Sequence, residues 1–201
     1  MAKTRSIHLA RQSTPPLRRI TLRVTLRDIH PPVWREIDVP DSYALSQLHR
    51  CIQLSFNWLD YHRYEFQFQE RRFEAADPEA EGEDASRVLL RDLELKRQSA
   101  LLYIYDMGDM WRHDIVVRSL NTCTPTEDPD LLAYLVDGAR AAPPEDAGGP
   151  PGYANVLAML SGNRPRDSEL VAWLGPGFDP NLFDLRAANH SLVLSSAWGV
   201  I

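Results

Sequence analysis

The sequence predicts an α+β fold: a mixed, mainly antiparallel sheet with a helix in the N-terminal half and a helical C-terminal segment. Two observations predict it. Runs with period-two alternation of apolar and polar residues crowd the stretch 20–118. After residue 150, apolar residues recur instead at helical spacing between Pro- and Gly-rich interruptions. Strands first and helices later, with hairpins joining several strands, define that class. A chain of 201 residues is long enough for one domain with a sizeable core. Its 15 prolines predict short elements and many loops.

Each element follows from its own pattern. Ile20, Leu22, Val24 and Leu26 alternate with Thr21, Arg23, Thr25 and Arg27, a half-buried strand. His30-Pro31-Pro32 breaks it, and a second strand runs over 33–39 until Pro40. Ser42 is the expected N-cap of a helix over 43–56, with Leu45, Leu48, Ile52 and Phe56 on one face. His62, Tyr64, Phe66 and Phe68 alternate as a third strand, which puts His62 at the edge of the core. The acidic, apolar-poor stretch 74–86 reads as a solvated excursion. Strand character returns at 88–90, 101–105 and 111–118.

Later elements are shorter. Residues 121–130 form a polar connection, and 131–136 is apolar but too short to assign by periodicity. The stretch 143–152, rich in Pro and Gly, is expected to be irregular. Tyr153, Val156, Leu157 and Leu160 mark a helix stopped near Gly162. Asp167 caps a second helix bearing Leu170, Trp173 and Leu174, and Asp179-Pro180 is the expected N-cap and first residue of a last short helix.

Charge divides the chain unevenly. Residues 1–27 hold seven basic residues (Lys3, Arg5, Arg11, Arg18, Arg19, Arg23, Arg27) and no acid, leaving 15 basic against 28 acidic in the remainder. The expected organisation is a basic, flexible arm over 1–18 and a single domain over 19–201. An acidic body repels a phosphate backbone, so nucleic acid is reached only through the arm. No apolar run approaches the roughly 20 residues that cross a bilayer, and no secretory h-region is present, so no membrane association is expected. Cys51 and Cys123 fit no disulfide framework or metal spacing, which points to a reducing, cytoplasmic setting.

Chemistry concentrates at 103–115, Tyr-Ile-Tyr-Asp-Met-Gly-Asp-Met-Trp-Arg-His-Asp-Ile. This is a hairpin whose tight turn holds Asp106 and Asp109 and whose returning strand carries Trp111 and His113 on one face. Both aspartates also suit a turn, where they accept backbone N–H bonds and Gly108 supplies a positive φ. Trp111 and His113, continued by Ile115 and Val117, equally suit a buried face. A second candidate is Pro143-Pro144-Glu145-Asp146 before Gly148-Gly149, a stiff loop presenting two acids, which internal arginines or a helix start also explain.

Three blocks make the chain resemble the plasmid pRiA4b ORF-3-like family. They are Pro32-Val33-Trp34-Arg35 with Leu45, Leu48-His49, Ile52-Gln53, Trp58, Asp60, His62 and Phe66; Tyr103, Tyr105-Asp106, Gly108-Asp109, Trp111, His113 and Ile115; and Gly138, Arg140, Pro143-Pro144-Glu145-Asp146, Gly148-Gly149 and Gly152-Tyr153. Phe178-Asp179-Pro180, Phe183-Asp184 and Asn189 complete the match, over roughly 19–190. The resemblance implies a small α+β fold, association with mobile elements and no established activity. Relatives often carry cysteines beside the third block; here Leu135, Ala142 and Ala147 stand there, which excludes a thiolate metal cluster. A resolvase-like label in some relatives implies a serine nucleophile backed by arginines, yet only Ser13 with Arg11 comes near that pattern, in a proline-broken tail.

Two readings follow. In the first, the chain is a non-catalytic binding module whose aromatic and acidic cleft (Tyr105, Asp106, Asp109, Trp111, His113, Glu145 and Asp146) takes a small cationic ligand or a protein segment. In the second, Asp106, Asp109 and His113 hold a divalent metal for a hydrolase or nuclease. The sequence accommodates a divalent metal and requires none. Both need the 106–109 turn and the 143–149 loop to share one cleft.

Overall fold

The alternation of Arg18–Leu26 produces strand β1, which buries Ile20, Leu22, Val24 and Leu26 on one face. The computed structural model describes residues 17–123 and 132–197. Beyond β1 these form β2 (Trp34–Pro40), β3 (Tyr64–Phe68), β4 (Arg71–Glu74), β5 (Glu83–Asp84), β6 (Ala100–Tyr105), β7 (Trp111–Thr122) and β8 (Tyr134–Ala139). All eight join one sheet in the order β5-β4-β3-β6-β7-β1-β2-β8. The short β4–β5 pair is parallel and the rest are antiparallel. Helix α1 (Leu45–Phe56) buries Leu45, Leu48, Cys51, Ile52 and Phe56 in the core. Helices α2 (Gly149–Leu160), α3 (Ser168–Leu174) and α4 (Leu185–Ala197) follow.

The opposite sheet face is polar, as the Thr/Arg positions of β1 foretell. Arg19 and Thr21 both donate to the Asp38 carboxylate, Arg27 pairs with Asp114, and the Arg23 guanidinium lies 3.7 Å over the Trp34 ring. Arg18 donates to Asp41 at 2.9 Å. Four of the seven N-terminal basic residues thus brace the sheet, and of these only Arg18 falls within the expected arm. Residues 1–16 of that arm, 124–130 of the expected polar connection and residue 131 lie outside the described residues.

Several boundaries differ from expectation for identifiable reasons. Helix α1 is capped at Ala44, not Ser42, because the Gln47 side chain reaches back to accept from the Ala44 N–H at 2.8 Å. Residues 88–90 are no strand beyond a lone bridge between Leu89 and Ala44. The Leu90 and Arg91 N–H groups instead bond the carbonyls of Tyr43 and Asp41, and a 3-10 turn follows over Leu90–Leu93. The 74–86 excursion contains the two-residue β5. Helix α2 begins inside the stretch expected to be irregular, with Pro150 and Pro151 in its first turn, where missing N–H groups have no intrahelical partner to lose. Asp179-Pro180 forms a turn closed by an Asp179–Asn181 bond. It is Asp184 that accepts from the Ala187 N–H at the start of α4. Asp167 caps α3 as predicted, accepting from Glu169 and Leu170.

Strand β8 shows how the C-terminal helices dock. The Asn189 side chain accepts from the Leu135 N–H at 2.6 Å and donates to the Leu135 carbonyl at 2.8 Å. One side chain of α4 therefore satisfies both outward-facing backbone groups of that residue. Among the described residues, no helix is long and apolar enough to cross a membrane.

Candidate functional site

The β6–β7 hairpin turn is built by Asp106. Its Oδ1 accepts the N–H groups of Gly108 at 2.8 Å and Asp109 at 3.3 Å, and its carbonyl accepts from Met110 at 2.7 Å. Positive φ falls at Asp106 (57°) and Met110 (53°), not at Gly108. An aspartate whose side chain bonds its own turn tolerates that conformation.

The 143–149 loop docks onto this turn. The Tyr105 hydroxyl donates to Glu145 Oε1 at 2.6 Å and accepts from the Tyr61 N–H at 3.0 Å. Glu145 Oε2 accepts from the Leu59 N–H at 2.8 Å, and the Trp58 indole N–H donates to the Pro143 carbonyl at 2.8 Å. Asp109 Oδ2 accepts from the Gly148 N–H at 3.0 Å. The Trp58 ring stacks on Tyr105 with centroids 5.1 Å apart. Turn and loop do meet, and the 57–63 segment joins them as a third wall. Burial first, and then the Glu145 carboxylate beside it, raise the Tyr105 phenol above its ordinary pKa, so it stays a donor.

These contacts sort the candidate residues. The Tyr105 hydroxyl, both Glu145 oxygens and one Asp109 oxygen are engaged in the latch between the loops. Trp111 and His113 are fully buried, the imidazole nested among Phe56, Trp58 and Tyr103. Burial pushes the His113 pKa down to about 3 against a weaker opposing pull from the backbone of Tyr103 and Trp111. His113 is therefore a neutral core residue, set apart from the Asp106–Asp109 carboxylates. The Asp106/Asp109/His113 triad is replaced among the described residues by another grouping: His62, Asp106 and Asp146.

His62 precedes β3 rather than belonging to it, because the strand begins at Tyr64. Its side chain is 32% exposed, and its Nε2 sits 3.6 Å from Asp106 Oδ2 and 3.3 Å from Asp146 Oδ1. That nitrogen is shielded from solvent without a well-formed hydrogen bond. One donor atom from each of the three residues lies within 4.8 Å of the others. The Asp146 side chain is 71% exposed, so the cluster opens to solvent on that side. Leu59, Tyr61 and Met107 stand exposed on the same loops.

A buried relay supports the third wall. His49 Nδ1 meets the Tyr103 hydroxyl at 2.8 Å and its Nε2 meets Asp60 Oδ1 at 2.7 Å, while Gln53 donates to the same hydroxyl at 2.9 Å. With Gln53 donating, Tyr103 donates to Nδ1 and the Nε2–H goes to Asp60. The His49 ring stacks on Tyr64 at 3.7 Å, and burial lowers its pKa despite Asp60. Asn57, Asp60 and Asp146 share the positive φ of Asp106, so backbone strain gathers around this corner. His62 is the member of this grouping that periodicity misses; its place four residues after Trp58 and two after Asp60 is the available signal.

With fold and site defined, comparison with known proteins places the chain. A family model described as plasmid pRiA4b ORF-3-like protein matches residues 18–187, and the chain belongs to that family. It is 35% identical over 176 residues to the uncharacterised protein y4hQ of Sinorhizobium fredii (strain NBRC 101917 / NGR234), covering 86% of this chain and 87% of that one. It is similar to the crystal structure of MM3350, a protein of unknown function from Methanosarcina mazei Go1, with a TM-score of 0.75 and 30% identity. That likeness covers 85% of this chain and 96% of the other.

Proposed function

We propose that the chain is a binding module that recognises a cationic group at the His62–Asp106–Asp146 corner, and that a divalent transition-metal ion is the occupant its donor set fits best. One observation carries this reading. Two carboxylates from segments 40 residues apart converge on a shielded imidazole nitrogen, while the other acids of both loops are spent in holding that geometry. A mixed imidazole and carboxylate set suits zinc, iron or manganese better than calcium or magnesium. The exposed Leu59, Tyr61 and Met107 supply an apolar rim for a ligand or protein segment that carries the cation.

Thermal unfolding of the full chain tests it. About 1 mM Zn²⁺ or Mn²⁺ raises the midpoint by several degrees, as ligand binding to the native state requires. Asp146→Asn, at an exposed position, abolishes the rise without lowering the midpoint of the metal-free protein. A separate arm with butylammonium reports an organic cation. No response to any of these probes overturns the reading. The same three donors leave an ion with open coordination positions, as metal-assisted hydrolysis requires. Metal-dependent cleavage of a chromogenic phosphodiester, lost in Asp146→Asn, would move the assignment from module to hydrolase.

A further inference from the structure

The Pro143-Pro144 segment also lines a cleft of about 490 Å³ between the C-terminal end of α1 and residues 174–191. Leu54, Phe178, Leu182 and Phe183 give it apolar walls, and Arg35 lies in its lining. Arg35 is only 2% exposed. Its Nε donates to the Ser55 carbonyl at 2.7 Å, and Nη1 to the carbonyls of Trp34 at 2.8 Å and Ala139 at 3.1 Å. The rings of Phe56 and Phe183 lie 4.9 and 4.0 Å from the guanidinium carbon.

Carbonyl dipoles and ring faces orient this cation, but they do not neutralise it. Nη2 has no acceptor among the described residues, nor is it among the polar atoms sealed from solvent. Among the described residues no carboxylate pairs with Arg35 either, whereas the buried Arg19 has Asp38. Burial alone lowers the Arg35 pKa, to about 10, which leaves it charged at neutral pH. A buried charge without a counter-ion is costly, and an anion entering this cleft removes the cost.

We propose that this cleft binds a small amphipathic monocarboxylate, its carboxylate on the free face of Arg35 and its apolar part against Leu54, Phe178, Leu182 and Phe183. The volume is that of an ordinary small-molecule site. Asp179 and Asp184 also line the cleft, each with one oxygen committed to a local N–H. Their charge disfavours multiply charged anions and selects a single carboxylate over phosphate.

The test uses the full chain with phenylacetate, its neutral analogue phenylacetamide, and inorganic phosphate. Thermal unfolding gives affinity, and amide NMR shifts locate the ligand. Phenylacetate raises the midpoint and shifts the amides of Asn57, Ala142 and Phe183; the amide analogue and phosphate bind at least about tenfold more weakly. Leu182 is 61% exposed, so Leu182→Glu preserves the fold while placing a repelling charge at the mouth. It weakens phenylacetate by about tenfold or more. Arg35→Gln removes the response where it folds, and the Leu182 variant decides the matter where it does not. Equal binding of acid and amide, phosphate binding as tight as phenylacetate, undiminished binding to Leu182→Glu, shifts mapping elsewhere, or no response at about 10 mM overturns the proposal.

Discussion

Tyr105 connects three segments through one oxygen, donating to Glu145 and accepting from the Tyr61 backbone. Tyr105→Phe leaves the ring stack on Trp58 intact but strips Glu145 Oε1 of its donor, leaving only the Leu59 N–H on Oε2 of that partly buried carboxylate. A hydrogen bond to a charged group is worth about 1.5–3 kcal/mol, and urea unfolding of the variant should show a loss in that range. His113 gives a pH prediction. Its folded pKa, near 3, lies below the ordinary value of 6.5. The unfolded chain therefore binds the proton first as pH falls below 6.5, and stability declines from there toward pH 3 while staying flat above 6.5. Between pH 7 and pH 5 the His113 contribution is about 2 kcal/mol. His113→Phe should flatten that slope without abolishing it, because the lowered pKa of His49 acts in the same direction.

At this scale the sequence was legible in kind but not in role. Tyr105, Asp109 and Glu145 were recognisable as unusual, yet no spacing rule distinguishes a carboxylate that meets a ligand from one that meets a hydroxyl 40 residues away. Trp111 and His113 sat correctly on one strand face. Whether that face was core depended on α1 and Trp58, which only the tertiary packing supplies. His62 escapes the sequence reading because its alternation with Tyr64 extends a strand that in the structure starts two residues later.

The elements explain why the latch is rigid. Gly149, the first residue of α2, has φ of 66°, and a Cβ there would stand 2.4 Å from the Asp109 carbonyl oxygen. Gly149→Ala should cost about 2 kcal/mol or more, from left-handed strain together with displacement of the hairpin turn. Faster exchange of the Gly148 amide would show that the Asp109 bond had opened. Sequence patterns located β1, β6, β7, α1 and α3 well, because each carries its own periodicity or cap. They failed at 88–90 and 179–180, where the deciding hydrogen bonds go to other parts of the chain or where one Asp signal serves both turns and helix starts.

At the scale of the molecule, β1, β7 and β6 lie inside the sheet with partners on both sides, while β5 and β8 lie at its ends. Hydrogen exchange should therefore be slowest for buried β1 and β7 positions such as Val24 and Ile115, and fastest in β4 and β5. The sheet was predictable as a class from the alternating runs. Its strand order was not, since pairing β1 with β7 joins segments about 90 residues apart that no local signal relates.

The carboxamide of Asn189 stands where a ninth strand would otherwise sit. By occupying the backbone of Leu135, it denies a neighbouring molecule the template it would need to prolong the sheet from one protein to the next. Shortening the chain ahead of α4 should bare the Leu135 N–H and carbonyl, and light scattering of the truncated protein would report the edge-to-edge association that follows.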